Sequence, residues 1–515
     1  MKHTHTAHVN TDIPTVLSGL AVTHPDNAAI LAPGREPLSF AALKSQLDYV
    51  RDRMRGWGIE RGDAVAVYLP IRPELAVAVA VLPAAATVIF LDPTLSTEDY
   101  VSLFRRCSVK AIVLPRAEQG AARTAAQSLE LFQIELTVDQ NAPAGTFQLD
   151  ARPLTAQLPV SRNHGRGTAY ILRTSGTTSE CKLIPYAHRQ IVRHAEVGRQ
   201  WLGVGPDDLN FHFAPLHLSS GIKSTLMNPI LNGVTVFCPP AYDSEKFFTW
   251  LAEYSPTWFS ASFTVLRDIL QHAEEHKEQC AGSGLRFIRS SSGRLEPEEI
   301  ARLEEIFQTP VITNLSTTET GWISGNPLPP GQRKYGSVGT PMGNETRLVD
   351  DGVFYTEAGR EGEIVVRGPS VFSGYLDDPA ATESAFMDGW YRTGDLGRFD
   401  EDGYLYITGR LKEIINSGGI KISPAEIDSV LSRHPAIADA GAFSLPHGTL
   451  GEVAVAAVVL EPGADADEKS LKNHVSAHLS KAKTPRKIYV MDRLPRSAAG
   501  KLRRADLRDL IARDK

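Results

Sequence analysis

The chain has 515 residues, enough for about two to four structural units of ordinary domain size. Its composition, with 42% hydrophobic and 22% charged residues, is typical of a globular protein and excludes collagen-like, low-complexity and wholly disordered chains. The formal net charge is −6, whereas a protein that grips nucleic acid or an anionic membrane is normally basic. Neither nucleic acid nor a membrane is therefore expected as a partner.

The cysteines and the apolar segments indicate the compartment. Four cysteines are scattered without a C-x-x-C pair or a metal-ligand spacing, so they are expected to be free thiols in a reducing environment. No secretory signal peptide is recognised. The longest apolar run, 75–91, is interrupted by Pro83 and falls short of the roughly 20 residues that a membrane span needs. The sequence predicts a cytoplasmic protein.

The first 160 residues alternate helix-like and strand-like segments. Apolar residues recur at helical spacing in 40–56, 73–84 and 97–107, and short continuous apolar runs occupy 63–69, 87–91 and 111–114. This alternation argues βαβ units around a buried parallel sheet. Further strand-like segments lie at 234–237, 257–260 and 285–288. The expected fold class is α/β, with parallel-rich sheets flanked by helices.

The pattern changes near residue 345. Short strands bounded by glycine, without long helices between them, predict a β-rich subdomain over about 340–411. A small α+β pattern follows, in which Ser423 and Pro424 are typical of a helix N-cap and its first residue. We therefore divide the chain into a large N-terminal domain, 1–411, and a small, mobile C-terminal domain, 412–515.

The sharpest local motif follows a strand that ends near residue 173. Residues 174–182 read Thr-Ser-Gly-Thr-Thr-Ser-Glu-Cys-Lys. Backbone N–H groups around Gly176, several hydroxyls and the charge of Lys182 are together suited to bind phosphate. The motif does not match the Walker A pattern G-x-x-x-x-G-K-[ST]. It predicts a phosphate-binding loop of another kind.

This loop resembles the phosphate loop of the adenylate-forming superfamily, which comprises acyl-CoA synthetases, non-ribosomal peptide synthetase adenylation domains and luciferases. Four later segments resemble further motifs of that superfamily in the same order, at 314–319, 391–395, 409–419 and 494–501. The resemblance covers nearly the whole chain, from residue 62 to residue 501. Two shorter segments, 289–292 and 326–330, are most similar to the oxalate–CoA ligase branch.

The resemblance implies an AMP-forming ligase that uses ATP and Mg²⁺. It would convert a small carboxylic acid into an acyl-adenylate with release of pyrophosphate, and then transfer the acyl group to a thiol, with coenzyme A as the expected acceptor. The first step brings a carboxylate against a polyanion, so charge neutralisation and positioning must carry the catalysis. Two alternatives remain: an adenylating enzyme that passes the acyl group to a carrier protein or an amine, and a non-catalytic nucleotide-binding homologue. A monomer or a homodimer is expected.

Position by position, the resemblance also implies site residues. Thr318 would contact the α-phosphate, Glu319 would hold Mg²⁺, and Lys501 would stabilise charge between the carboxylate and the α-phosphate. Asp395 would accept hydrogen bonds from the ribose hydroxyls, and Arg410 would contact the ribose from the other side. The other residues implied to bind the nucleotide are Thr174, Ser175, Gly176, Thr177, Thr178, Lys182, Ser292, Gly293, Arg294, Asn314, Leu315, Ser316 and Ile407.

The acid pocket and the moving parts follow in the same way. The residues implied to line the pocket are His217, Ser219, Ser220, Phe263 and Trp322. Two serines and a histidine favour a small or polar acid over a long fatty chain. Lys412 would be the hinge, and Gly418 and Gly419 would border the acceptor tunnel.

The chain departs from the superfamily pattern at four positions. Leu315 stands where a tyrosine usually stacks on adenine, and Leu218 stands where a pocket histidine is usual. In the phosphate loop, Ser179 replaces glycine and Cys181 replaces proline. These departures point to an unusual acid substrate or to weakened activity.

Overall fold

The computed structural model describes residues 11–70, 72–151, 163–174, 181–291, 293–496 and 500–513. In this part of the chain the strands form four sheets, three before residue 411 and one after it. The expected α/β class is confirmed, with a large N-terminal domain and a smaller C-terminal domain. The division at 411/412 stays a prediction.

The first sheet lies in the first two-fifths of the chain. Its strands are β3 (Ala64–Val67), β4 (Thr87–Phe90), β5 (Val109–Pro115), β6 (Phe132–Thr137), β7 (Gln148–Ala151), β8 (Thr168–Arg173) and β9 (Leu183–Ala187). They are ordered β7-β6-β5-β3-β4-β8-β9, and all pairs are parallel except those at the two ends. Every residue of β3 and β4 is buried, because helices cover both faces of a parallel sheet.

The second sheet carries most of the site residues. Its strands are β1 (Ala28–Leu31), β2 (Leu38–Ser39), β10 (Leu209–His212), β11 (Thr235–Phe237), β12 (Trp258–Ser262), β13 (Phe287–Ser291), β14 (Val311–Thr317), β15 (Gly321–Gly325) and β16 (Thr340–Pro341). The central pairs β10–β12, β12–β13 and β13–β14 are parallel. Their carboxyl ends therefore meet at one edge, where open α/β sheets bind ligands.

Helices pack on both faces of these two sheets and between them. They are α1 (Ile13–Thr23), α2 (Phe40–Gly56), α3 (Glu74–Val81), α4 (Thr97–Arg106), α5 (Ala121–Ser128), α6 (His188–Leu202), α7 (Asn228–Leu231), α8 (Ser244–Tyr254), α9 (Phe263–Ala273), α10 (Lys277–Ala281) and α11 (Pro297–Phe307). One apolar cluster joins α2, α3 and α6 to strands of both sheets. Two further clusters join α4 and α5 to the outer face of the first sheet, and α8, α9 and α11 to the outer face of the second. The large domain is therefore layered, with a helix layer between the two sheets.

The remaining two sheets are antiparallel or mixed. The third comprises β17 (Glu345–Asp350), β18 (Val353–Tyr355), β19 (Glu361–Arg367), β20 (Phe386–Met387), β21 (Trp390–Phe399) and β22 (Leu405–Arg410), with α12 (Pro379–Ala385) beside it. The fourth comprises β23 (Ile415–Ser417), β24 (Ile420–Ile422), β25 (Ile437–His447), β26 (Gly451–Leu460) and β27 (Ile488–Val490), with α13 (Pro424–Leu431), α14 (Glu468–His478) and α15 (Arg504–Arg513).

The predicted start of helix α13 is found at the expected residues, but the predicted capping bond is not. Ser423 does occupy the N-cap of α13, with Pro424 at the first helical position, but its side chain makes no capping bond. Instead, its hydroxyl donates to the Thr408 carbonyl at 2.8 Å and ties the helix to strand β22. All four cysteines are free thiols. Among the described residues, no helix combines the length and apolarity that a membrane span would need.

Arg504 links three parts of the small domain. Its guanidinium contacts Glu413 at 2.8 Å, Asp428 at 2.6 Å and the Ala442 carbonyl at 2.6 Å. These partners lie just before β23, on α13 and on β25. The Arg504 side chain is only 16% exposed, so these contacts lie largely out of reach of water.

We expect Arg504→Met to loosen the small domain. Removing one partner of a largely buried ion pair leaves the other charge without compensation, which costs about 3–5 kcal/mol. Hydrogen–deuterium exchange in β25 and β26 should therefore become faster. Arg503→Met is the matched control, because Arg503 is 48% exposed and pairs with Asp506 only on the surface of α15. Equal exchange in the two variants would contradict a clamp at Arg504.

Candidate active site

The base of the predicted phosphate loop is closed by two reciprocal hydrogen bonds. The Thr174 N–H donates to the Lys182 carbonyl at 3.0 Å, and the Lys182 N–H donates to the Thr174 hydroxyl at 3.2 Å. Beside them, Arg173 Nε lies 3.2 Å from the Cys181 sulfur. Strands β8 and β9 therefore hold the two ends of the loop in fixed positions. The predicted phosphate ligands Ser175, Gly176, Thr177 and Thr178 lie outside the described residues.

The turn between β14 and β15 carries Thr318 and Glu319. The Thr320 N–H donates to the Thr317 hydroxyl at 3.1 Å, which closes the turn. Gly321 then adopts a left-handed backbone, with φ of +69°, and a Cβ there would lie 2.7 Å from Nδ1 of His194. Glycine is needed at this position for both reasons. The turn therefore packs directly against helix α6.

Lys223 supports the same turn by binding its carbonyl groups. The sequence motifs did not identify this lysine. Its ammonium donates to the carbonyls of Thr318 at 2.9 Å and Thr317 at 3.4 Å, and to the Tyr186 hydroxyl at 3.2 Å. Burial lowers the pKa of Lys223 to about 7, and the nearby Glu319 opposes that shift. The signal in the sequence is a single lysine within the otherwise uncharged stretch 218–231.

Glu319 is connected to the phosphate loop through one tyrosine. The Tyr375 hydroxyl donates to Glu319 Oε1 at 3.2 Å, and the Lys182 ammonium lies 4.3 Å from the centre of the Tyr375 ring. The Phe372 N–H donates to the Glu319 carbonyl at 2.7 Å. Two residues that the resemblance assigned to phosphate and metal are thus brought together from positions 137 apart in the chain.

Asp395 and Arg410 face each other across β21 and β22. They occupy partner positions in the antiparallel ladder, and Arg410 Nε lies 2.8 Å from Asp395 Oδ1. Asp395 is only 4% exposed. Burial raises its pKa, and the charges of Arg410 and Lys501 oppose that shift.

Lys501 reaches this group from the small domain. Burial and the charge of Arg410 lower the pKa of Lys501, whereas the carboxylates of Asp395, Glu319 and Glu413 counteract them. Three residues assigned to the nucleotide or the metal therefore act electrostatically on the lysine assigned to catalysis.

The segment before Lys501 lies on the large domain. A Cβ at Gly500 would be 2.9 Å from the Thr264 hydroxyl and 3.4 Å from the Phe263 ring, and Gly500 has a φ of +78°. The Arg496 guanidinium lies 5.6 Å from the centre of the same ring and donates to the Gly500 carbonyl. The left-handed backbone and the close approach to the Thr264 hydroxyl favour glycine at position 500. The structure thus joins the predicted pocket residue Phe263 to the approach of Lys501.

The predicted pocket residues His217 and Ser219 come just before a π-helix, Ser220–Met227, and Ser220 is its first residue. Gly221 packs so closely on the Pro215 carbonyl that a Cβ would lie 2.0 Å from its oxygen, which explains the glycine. His217 Nε2 lies 3.9 Å from Asp92, and burial lowers the pKa of His217 against the effect of that carboxylate. Ser219 is buried, and π-helical turns are common at functional sites.

Trp322 belongs to a buried group that also contains His194 and Arg289. Its ring stacks on His194 with centroids 4.5 Å apart, and its Nε1 donates to the His194 carbonyl at 3.0 Å. Arg289 lies on the same ring, 5.1 Å from its centre, and donates to Asn314 Oδ1 at 3.0 Å. Asn314, which the resemblance assigned to the nucleotide, is therefore held by a buried arginine.

The other predicted residues are distributed around this centre. Leu315 is buried in an apolar cluster against which Ile407 also packs, so these two are brought together. Gly293 lies against Phe263, whereas Arg294 and Ser316 are exposed and Ser292 lies outside the described residues. Gly418 and Gly419, both with positive φ, form the two-residue turn between β23 and β24, and Lys412 is exposed at the start of the small domain.

Comparison with known proteins is consistent with this geometry. The family model for the AMP-binding enzyme matches residues 20–376, and that for the AMP-binding enzyme C-terminal domain matches 426–501. Oxalate–CoA ligase of Arabidopsis thaliana is 32% identical, with 95% of this chain and 96% of that protein covered. Sulfoacetate–CoA ligase of Cupriavidus necator is 33% identical, with 95% of both covered. O-succinylbenzoate coenzyme A synthetase of Bacillus subtilis, in complex with ATP and magnesium ion, superposes with a TM-score of 0.81 at 27% identity, covering 96% of this chain and 98% of that one.

The family matches span most of the chain, and the curated relatives are acid–CoA ligases along nearly their whole length. The chain therefore belongs to the AMP-binding enzyme family of adenylate-forming ligases and is an AMP-forming acid–thiol ligase of the acyl-CoA synthetase type.

Proposed function

We propose that this ligase adenylates a small, polar carboxylic acid at the group formed by Thr318, Glu319, Asp395, Arg410 and Lys501, and then transfers the acyl group to coenzyme A. The observation that carries the proposal is the position of Lys501. It comes from the small domain, yet its pKa responds to Asp395 and Glu319 of the large domain. A lysine close enough to both carboxylates to be affected by their charge is suited to neutralise charge between an acid and a phosphate.

The nucleotide would lie between the phosphate loop and β21–β22. Lys182 and the Thr174 hydroxyl would bind the β- and γ-phosphates together with the loop residues 175–178, and Thr318 would contact the α-phosphate. Asp395 would accept from the ribose hydroxyls, with Arg410 beside it. The base would rest on the apolar surface of Leu315 and Ile407, where dispersion replaces ring stacking.

Glu319 is suited to hold Mg²⁺. No group of three His, Cys, Asp or Glu side chains that could hold a metal is found among the described residues. One carboxylate suits magnesium, which is usually bound through one or two carboxylates together with substrate phosphates and waters. Bound there, the ion would offset phosphate charge. The Tyr375 hydroxyl orients the Glu319 carboxylate at 3.2 Å for that role.

The relatives support a small acid and a thiol acceptor. Two of them are named for oxalate and sulfoacetate, which are short and highly polar acids. In this chain, His217, Ser219 and Ser220 provide polar groups at the pocket entrance. Gly418 and Gly419 would border the path of the thiol after a rotation of the small domain about Lys412.

The free cysteine thiols of the chain itself are those expected in a reducing compartment, which supports a cytoplasmic location.

The test is ATP–pyrophosphate exchange over a panel of carboxylic acids, followed by CoA consumption with the acids that support exchange. We expect acid-dependent exchange and stoichiometric formation of AMP and acyl-CoA. Exchange without CoA consumption would favour a carrier protein or an amine as acceptor. No exchange with any acid would favour a non-catalytic nucleotide-binding homologue.

Lys501→Ala should separate the two half-reactions. Loss of a cation directed at developing charge should lower adenylate formation by about 10²- to 10³-fold. Transfer from a pre-formed acyl-adenylate to CoA should change little, since the small domain would then have rotated. Lys487→Ala is the control, because Lys487 is a 54% exposed lysine of the same domain. Equal losses in both half-reactions would show that Lys501 is only structural.

Glu319→Gln should weaken the use of magnesium. The amide keeps the shape of the side chain but removes the charge that would hold the ion, so exchange should fall by about 10²-fold. Part of the loss should be recovered by raising the Mg²⁺ concentration. Glu345→Gln, which changes an exposed carboxylate paired with Arg367, should behave as wild type. Wild-type exchange in Glu319→Gln at all Mg²⁺ concentrations would refute the assignment.

Lys223→Met should impair adenylation through the turn that carries Thr318 and Glu319. The substitution leaves two carbonyls without their donor, a loss of about 1–3 kcal/mol that corresponds to roughly 10- to 100-fold in rate. We expect kcat for exchange to fall, with Lys223→Arg recovering part of it. Lys246→Met, at a 66% exposed position on α8, should have no effect. An unchanged kcat in Lys223→Met would show that the turn keeps its shape without the lysine.

A further inference from the structure

Arg289 is a buried cation for which the described residues provide no counter-charge. It is 1% exposed, and its Nη1 donates to the neutral amide of Asn314. Nε and Nη2 have no hydrogen-bond partner in the part of the chain that the structure describes, and no carboxylate there forms an ion pair with it. A buried charge is normally paired, because removing it from water is costly. Burial lowers the pKa of Arg289 to about 9, so the group stays protonated at neutral pH.

The position of Arg289 relates it to the acid pocket. It lies on β13, two residues before the strand ends at Ser291. The chain then passes to Gly293, which lies against Phe263, and Phe263 in turn contacts Gly500, the neighbour of Lys501. Two residues of strand correspond to roughly 7 Å. Arg289 is therefore deeper in the molecule than the group at which the acid would be adenylated, but on the same edge of the sheet.

The surroundings of Arg289 are polar as well as buried. His212, Ser260 and Arg289 occupy partner positions on β10, β12 and β13, so their side chains lie in a row on one face of the sheet. That face looks toward α6 and the π-helix, because Phe211, Phe259 and Ile288 on the opposite face pack with α8, α9 and α11. The Ser260 hydroxyl also has no hydrogen-bond partner among the described residues. The row provides hydrogen-bonding groups that the fold itself does not use.

We propose that the Arg289 guanidinium binds a second anionic group of the substrate acid, so that the enzyme selects short acids with an anion at each end. This inference rests on the proposed adenylation at Lys501 and adds the class of acid. One carboxylate would react beside Thr318 and Lys501, and the distal anion, a carboxylate or a sulfonate, would bind Nε and Nη2 of Arg289. These two nitrogens form one edge of the planar guanidinium, which suits bidentate binding of an oxyanion. Trp322 and Asn314 fix the plane of that group.

The test compares matched pairs of acids in ATP–pyrophosphate exchange. Dicarboxylates of two to six carbons are each paired with the monocarboxylate of the same length, and 3-sulfopropanoate is compared with succinate to distinguish the two kinds of distal anion. In the wild type, we expect kcat/KM for the best dianionic acid to exceed that of its monoanionic partner by at least about 100-fold. Equal use of the two members of every pair would overturn the proposal, whereas no exchange with any acid would instead refute the proposed function.

Substitutions of Arg289 and Asn314 provide a second, independent test. Arg289→Met should reduce the ratio of kcat/KM between the paired acids to near one, mainly through KM for the dianionic member. Arg289→Lys should keep part of the preference. Asn314→Asp places a carboxylate at the position of the Asn314 amide, 3.0 Å from the guanidinium. That carboxylate would supply a counter-charge for Arg289 within the protein, so this variant should also lose the preference for dianionic acids. The ratio is insensitive to a general loss of folded enzyme, since both acids are measured on the same preparation. A ratio unchanged in Asn314→Asp and Arg289→Lys would overturn the proposal even if Arg289→Met fails to fold.

Discussion

The electrostatic attraction between Lys501 and two carboxylates of the large domain, the buried Asp395 and the half-buried Glu319, is the interaction on which the proposed site depends. An ammonium group that leaves water loses its hydration, and a nearby anion must compensate. Asp395 and Glu319 offset that loss only in part, because the pKa of Lys501 stays lowered, while Arg410 repels Lys501 and is itself paired with Asp395. Lys501 belongs to the small domain, and its neighbour Gly500 lies against Thr264 and Phe263 of the large domain. The charge proposed for catalysis and this contact between the domains thus lie on neighbouring residues.

Much of the fold follows from patterns that are local in the sequence. The helix expected at 40–56 is α2 with the same limits, because its apolar residues recur at helical spacing and Ser39 caps it. The buried strands β3 and β4 were equally evident as short continuous apolar runs. Ser423 shows the limit of such reasoning. The cap residue and the proline were correctly located, but the serine hydroxyl bonds to Thr408, which no local pattern could indicate.

Sequence motifs located the residues of the candidate site that lie in short conserved-looking segments, but not the residues whose role depends on burial in the fold. The segments at 174–182, 314–319, 391–395 and 494–501 are short, and the structure brings their described residues together although they are far apart in the chain. Lys223 and Arg289 were missed as functional residues because a lysine or an arginine in a sequence is normally solvated. Their importance arises only from tertiary structure, which removes both from water and leaves one bound to carbonyls and the other incompletely paired.

The cations of the site differ in how firmly the fold holds them, and this difference matches what each would have to do. Lys223 lies on the π-helix and Arg289 on a central strand, both surrounded by packed side chains. Groups fixed in this way can orient a turn or the far end of a substrate without reorganising during the reaction. Lys501 is instead carried by a domain whose described contacts with the large domain include a glycine against an aromatic ring and the Ser429 hydroxyl bond to Glu296. A cation needed for only one of two half-reactions is best placed on such a removable element, whereas cations that define the substrate and the turn must remain in the core.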